Sequence, residues 1–261
     1  MKDRTTELAD VLARRELWLL VSVGFSDPYH RKRFELLKKP DFRHRVIQAT
    51  ALVSEGRSTI ELGPGEVNPR QLSARDVFAA LDSESVAIES AYRKLFGLTA
   101  VSQQCPACEV EYDANSDSTY RSQRLGDLAG FYQAFALQVS QDAAERIDHV
   151  TIEAEFLYVL LAKEGAALYH GDSQGVEVCR QARRKFFQEH VGWWLPAFSR
   201  LVSRVSTSDY YCRLAALTAG VSALERVCLG LPPSSMRALP QRSEPVVEAA
   251  CFECLNQRVE E

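Results

Sequence analysis

Apolar residues recur at helical spacing from one end of the chain to the other. Leu8, Val11, Leu12, Arg15 and Leu19 fall at i, i+3, i+4 intervals, as one face of an amphipathic helix requires, and Val46, Ala49, Leu52 and Val53 repeat the spacing in a second. Gly63-Pro64-Gly65 and Asn68-Pro69 interrupt it, so a loop is expected there. Ser73 followed by Asp76 three residues later reads as the cap of the next helix. Ser83 or Ser85 is expected to start another, running through Ile88 and Tyr92 to Phe96 and ending at Gly97. Residues 99–118 break the period: they carry Pro106, two cysteines, the acidic Glu109-x-Glu111 pair and a polar run from Asp113 to Asp117. This reads as a long ordered loop, and loops of that length inside a domain tend to carry function. The helical period resumes from Thr119, with an aromatic-rich stripe of Leu125, Leu128, Phe131, Tyr132 and Phe135 and then an apolar stretch from Val150 to Leu168. Further helices fit 173–190, 193–205, 208–229 and 245–258. With no strand-type alternation and no internal repeat, the pattern predicts an all-α protein, a single compact helical domain spanning 1–261.

Composition agrees with a globular domain. The 261 residues are 46% hydrophobic and 25% charged, with a formal net charge of -4. That balance leaves no surplus of Lys and Arg for neutralising phosphates, so no nucleic-acid partner is expected, whereas a basic peptide suits it. No apolar run reaches the roughly 18 residues needed to span a bilayer, so no integral membrane segment is expected. Arg14-Arg15 ahead of Leu17-Trp18-Leu19-Leu20-Val21 resembles a twin-arginine export signal. Glu7, Asp10 and Glu16 flank it, however, and no small-residue cleavage site follows Phe25, so it is read as a first amphipathic helix carrying two exposed arginines in a cytoplasmic chain. Seven cysteines, an odd number, argue against a disulfide framework.

Several residues invite a chemical reading beside a structural one. Asp148 stands where a helix cap would, and His149 and Glu153, four apart, share a helical face as a surface pair or as a ligand contact. Glu145, Asp148, Glu153 and Glu155 together concentrate negative charge. Among the aromatics Phe131, Tyr132, Phe135 and Phe156 most should be core, Tyr132 having in its hydroxyl a reason to face a groove. Adjacent Trp193 and Trp194 point about 100° apart on a helix, one expected to pack and one to be partly exposed. Cys105-x-x-Cys108 and Cys251-x-x-Cys254 have the spacing with which thiolates chelate one tetrahedral metal, provided that the fold brings loop and C-terminal helix together. Nucleotide loops and the nucleophile elbow of hydrolases are missing from the sequence, and nothing in it demands catalysis.

Two stretches carry a resemblance to the TorD/DmsD/NarJ chaperones of molybdoenzyme maturation. Tyr92-Arg93-Lys94-Leu95-Phe96-Gly97 resembles the family's Tyr-x-x-Leu-Phe-Gly block. The following Cys105-Pro106-Ala107-Cys108-Glu109-Val110-Glu111-Tyr112 is similar to the Cys-Pro loop of members serving nitrate-reductase-like and hydrocarbon-dehydrogenase-like enzymes. Further on, Leu128 to Phe135 and Glu145-Arg146-Ile147-Asp148-His149 resemble the block ending in the family's Glu-x-Pro-Asp-His signature, and Trp194-Leu195-Pro196-Ala197-Phe198 completes the order. Ile147 replaces the usual proline, Cys108 a common tyrosine and Leu98 a frequent histidine. The resemblance implies a helical domain whose groove binds the twin-arginine signal peptide of a molybdopterin-containing catalytic subunit and holds the apoprotein until cofactor is inserted, delaying export. No cofactor of its own is implied. It also implies that Asp148, His149 and Glu153 serve signal-peptide recognition, with Glu145, Tyr132, Phe135 and Phe156 completing a groove between the helices Gly130 to Phe135 and Asp148 to Phe156. The alternative is a zinc-binding or thiol redox-sensing helical protein using Cys105, Cys108, Cys251 and Cys254. A homodimer formed by exchanging helices stays open.

Overall fold

A computed structural model describes residues 3–29, 31–55, 60–97, 105–115, 117–140 and 145–234. Its helices are α1 (Arg4–Gly24), α2 (Arg31–Phe34), α3 (Pro40–Ser54), α4 (Ala74–Ser83), α5 (Ile88–Phe96), α6 (Ser118–Ala134), α7 (Val150–His170), α8 (Ser173–Phe186), α9 (Leu195–Val205) and α10 (Asp209–Cys228). No strand forms among the described residues, and the all-α prediction holds. The helix predicted over 245–258 lies outside them.

Local chemistry sets most boundaries. Ser73 Oγ accepts the Asp76 amide as predicted, and Asp117, Asp172 and Ser208 cap α6, α8 and α10 in the same way. At the end of α7, Gly171 adopts a φ of 77°, a left-handed turn that glycine takes without strain. The α4–α5 boundary differs from expectation: α4 runs to Ser83, and α5 starts after Ala87 with no side-chain cap. After α8 the chain makes one π turn, Phe187–Val191, before α9.

Burial explains the layering. On α1, Leu17, Trp18, Leu20 and Val21 are fully buried, and this helix packs most extensively on α7 and also on α3 and α10. The run from Leu217 to Arg226 on α10 is buried all round, as expected of a helix with neighbours on every side, here α9, α4 and α1. Gly24 permits one close crossing: a Cβ there would meet Leu214 at 2.8 Å, and the Tyr210 hydroxyl donates to the Gly24 carbonyl at 3.0 Å. Leu52, read as part of the apolar face of α3, is instead 46% exposed.

Charge inside this core corrects another expectation. Arg14 is not an exposed residue; it is 4% exposed and donates to Glu225 at 3.2 and 3.3 Å. Arg183 also reaches Glu225, and the Trp18 indole donates to it at 3.3 Å. The pairs continue as a ladder: Asp10 with Arg14, Arg183 with Glu164 at 2.8 Å, Glu164 with Arg180 at 2.7 Å, and Arg180 with Glu7 at 2.6 Å. Four helices, α1, α7, α8 and α10, are thereby tied by alternating charges.

Candidate functional site

The Cys105 loop is latched to the segment that leads into α7. The Val150 amide donates to the Ala107 carbonyl at 2.8 Å and the Glu109 amide to the Asp148 carbonyl at 3.0 Å, making an antiparallel bridge between Cys108 and His149. The Asp148 carboxylate, fully buried, accepts the Val110 amide at 3.2 Å and both prongs of the Arg146 fork at 3.0 and 2.8 Å. The remaining Arg146 nitrogen reaches Glu111 at 2.9 Å. Inside the loop, the Tyr112 hydroxyl donates to the Pro106 carbonyl and residues Glu109–Tyr112 form a 3-10 turn. Asp148 therefore does not cap α7.

That cap is His149, whose Nδ1 accepts the Thr151 amide at 3.3 Å and lies 2.8 Å from the Thr151 hydroxyl. Burial, then the nearby charges of Arg146 and Arg33, depresses its pKa to about 3, so the ring is neutral and Nδ1 stays free to accept. The linkage sign is fixed by this depression. Between pH 6.5 and about 3 the unfolded chain binds a proton that the folded one refuses, so stability is lost as pH falls through that window. His149→Asn, which preserves a capping acceptor, is expected to lessen acid destabilisation between pH 6.5 and 4 by about 1 kcal/mol or more. Denaturation midpoints of both proteins across that range check it, and parallel curves would contradict the neutral cap.

Beneath the latch lies a polar cluster in an aromatic setting. Glu109, fully buried, accepts from Arg124, from the Trp193 indole at 3.0 Å and lies 3.1 Å from His190 Nδ1. Glu153 accepts the Trp194 indole at 3.1 Å, while its Oε1 and His190 Nε2 have no hydrogen-bond partner among the described residues. Burial first, then the charges of Glu109 and Asp148, raises the Glu153 pKa well above the usual carboxylate range. It does not pair with His149 on a surface, and both tryptophans are buried rather than one. Nothing in the sequence joins Glu109, His190 and Trp193 as a unit; the acidic Glu109-x-Glu111 pair in a loop is the available signal.

Two clefts open beside the latch, with no lining residue in common. The first, about 470 Å³, has aromatic walls of Tyr29, Tyr92 and Phe96, a floor including Cys105 to Cys108 and His149, and the charged groups Asp27, Arg93, Glu111, Glu145 and Arg146. Arg93 stacks over the Tyr29 ring at 4.2 Å, and the Glu145 side chain makes no ion pair among the described residues. The second, about 250 Å³, is lined by Tyr132, Leu137, Val139, Ile152, Phe156 and Val159, with the Arg33–Glu155 pair at 2.9 Å. Tyr132 is only 4% exposed and donates to the Ile147 carbonyl at 3.1 Å. Of the seven residues expected in one groove, Glu145 and His149 line the first cleft and Tyr132 and Phe156 the second. Phe135 packs half-buried on Phe156 with centroids 5.8 Å apart, and Asp148 and Glu153 line neither cleft.

Burial pushes the Cys105 thiol up to about 12, and burial followed by the Asp148 charge pushes Cys108 well above its ordinary value. Both shifts favour the protonated thiol, the less nucleophilic form. Cys251 and Cys254 lie outside the described residues, and among the described residues no group of three or more His, Cys, Asp and Glu side chains is arranged to hold a metal. No described helix is long and apolar enough to cross a membrane.

Residues 71–200, which include the loop, the latch and α7, match the family described as nitrate reductase delta subunit. The selenate reductase assembly chaperone protein of Thauera selenatis is 41% identical over 76 residues, 29% of this chain and 38% of that protein. The chlorate reductase assembly chaperone protein of Ideonella dechloratans is 36% identical over 84 residues, 32% of this chain and 42% of that protein. The perchlorate reductase assembly chaperone protein of Dechloromonas aromatica strain RCB is 30% identical over 88 residues, 34% of this chain and 38% of that protein. The matches thus span about two fifths of the length of these relatives. No solved structure matches the chain.

Proposed function

We propose that this chain, whose residues 71–200 match the nitrate reductase delta subunit family, is a system-specific chaperone of the NarJ/TorD type for the catalytic subunit of a molybdopterin oxidoreductase. It binds the subunit's twin-arginine signal peptide and apo form in the cytoplasm, assists cofactor insertion and delays export. The observation that carries this reading is a charged, aromatic-walled cleft lined by Glu145, Arg146 and His149 together with a second cleft, lined mainly by aliphatic and aromatic side chains, whose Tyr132 is hydrogen-bonded to Ile147 of the same stretch. A leader of this kind has a basic part and an apolar stretch. Glu145, with no ion pair among the described residues, suits the basic part, and Val139, Ile152 and Phe156 suit the apolar stretch. The assembly-chaperone names of the relatives support the same class.

Calorimetric titration with the leader peptide of the client subunit tests the reading. Binding is expected in the wild type. A charge at the rim of a site acts mainly on association rate and salt dependence, so Glu145→Gln should slow association severalfold at low salt and flatten its dependence on ionic strength. Val139→Asp, on a half-buried side chain of the second cleft, should weaken affinity by about 1–3 kcal/mol by placing a charge against the apolar stretch. A folded wild type that binds no leader would remove the peptide-binding proposal.

A further inference from the structure

The first cleft already holds two of the chain's own guanidinium groups, each in a seat suited to that group. Arg93 lies over the face of Tyr29 at 4.2 Å, the stacked geometry a planar cation favours. Arg146 is seated differently. Its Nε and one terminal nitrogen meet the two oxygens of Asp148 at 3.0 and 2.8 Å, a bidentate fork, and its other terminal nitrogen meets Glu111 at 2.9 Å. The burial of this trio is asymmetric: the Arg146 side chain is 48% exposed, Glu111 17% and Asp148 not at all. Arg146 therefore reaches in from the open side of the cleft to a carboxylate that is otherwise enclosed by protein. Asp148 would stay anchored without it, since its second task is to accept the Val110 amide from below.

We propose that Asp148 and Glu111 form a guanidinium seat that Arg146 fills from within the chain, and that an arginine of a basic client segment fills the same seat by displacing it. The inference rests on the peptide-binding reading above and adds to it a named subsite and an internal competitor. Exchange is feasible because both ends of it are balanced. The outgoing Arg146 is already half in water and returns to it fully, while the incoming guanidinium restores the charge and the fork that buried Asp148 requires. A lysine does not complete this exchange, since a single ammonium cannot span both Asp148 oxygens and Glu111. Glu145, which lines the same cleft and makes no ion pair among the described residues, supplies a place for the next positive charge of the segment. The seat thus gives the cleft a preference for arginine over lysine, and Arg146 sets how readily it opens.

Arg146→Ala empties the seat. Nα-acetyl-arginine methylamide at millimolar concentration should raise the thermal midpoint of this variant and leave the wild type unmoved, and the lysine analogue should move neither. Removing an internal competitor raises the fraction of molecules ready to bind, so a labelled leader peptide with two consecutive arginines should bind the variant roughly five- to tenfold more tightly than the wild type. The gain should vanish for the Lys-Lys peptide. Arg146→Lys, which keeps the charge but not the fork, serves if the alanine variant does not fold, with the same expectations. Peptide binding by the wild type with neither rescue nor arginine-dependent gain in the variant would overturn the seat and leave the chaperone reading standing. Absence of leader binding in both proteins would overturn both.

Discussion

Replacing Glu225 with alanine is expected to be among the most destabilising single changes in the chain, costing about 3–5 kcal/mol. The carboxylate is fully buried and accepts from Arg14, Arg183 and the Trp18 indole, so its removal leaves two buried guanidiniums with one carboxylate partner each, Asp10 and Glu164, and an indole donor without its acceptor. Burial opposes ionisation of Glu225, but the charges of Arg183 and Arg14 outweigh it and hold the carboxyl below its ordinary range. The sign follows: its contribution is present above the unfolded carboxylate pKa and is lost as pH falls through the lower folded value. Glu225→Ala should therefore differ most from wild type near neutral pH and approach it in acid. Denaturant unfolding at pH 7 and pH 3.5 measures both, and a loss under about 1 kcal/mol at pH 7 would contradict a buried ladder across α1, α8 and α10.

Asp148→Ala is expected to have the largest combined effect on stability and on client binding. The Val110 amide loses its buried acceptor and Arg146 loses its fork, together costing about 2–3 kcal/mol; the estimate is held down because Arg146 is half-exposed. The loop from Cys105 to Tyr112 then keeps, on this side, the two backbone bonds of the Cys108–His149 bridge and the half-exposed Arg146–Glu111 pair, and leader affinity should fall by tenfold or more. Asp148→Asn, whose amide oxygen can still accept from Val110, should retain more stability than it retains affinity for an arginine-bearing leader. Stability and affinity measured on the same folded preparations separate the two losses. An alanine variant with faster amide exchange nowhere in 105–112 and unchanged affinity would contradict the latch.

The helical order was legible because it rests on local signals. The spacing of Leu125, Leu128, Phe131 and Tyr132 carries its own period, Ser73 announces α4 and Gly97 ends α5. The site was legible as a set of segments but not as a geometry. Asp148 occupies a position that a cap would, and nothing nearby says that its carboxylate turns to Val110, 38 residues upstream, leaving the cap to His149. Arg14 reads as exposed because an isolated charge belongs in water. Its partner Glu225 lies 211 residues away, on a helix whose burial depends on the whole packing arrangement. Glu153 reads as half of a surface pair with His149 for the same reason: its actual partner, Trp194, comes from a later segment. Hydrophobic period reports which face is buried, whereas buried polar partnerships depend on which faces meet.

Hydrogen exchange on the chain with and without the leader peptide of its client tests the central claim most directly, because it reads every described segment at once. The account predicts slowed exchange in Cys105 to Tyr112 and Glu145 to Val150, which border the first cleft, and in Leu137 to Val139 beside the second, with α10 unchanged. Protection confined to α3, α4 or the ion ladder of α1, α8 and α10, with the latch segments unaffected, would contradict it.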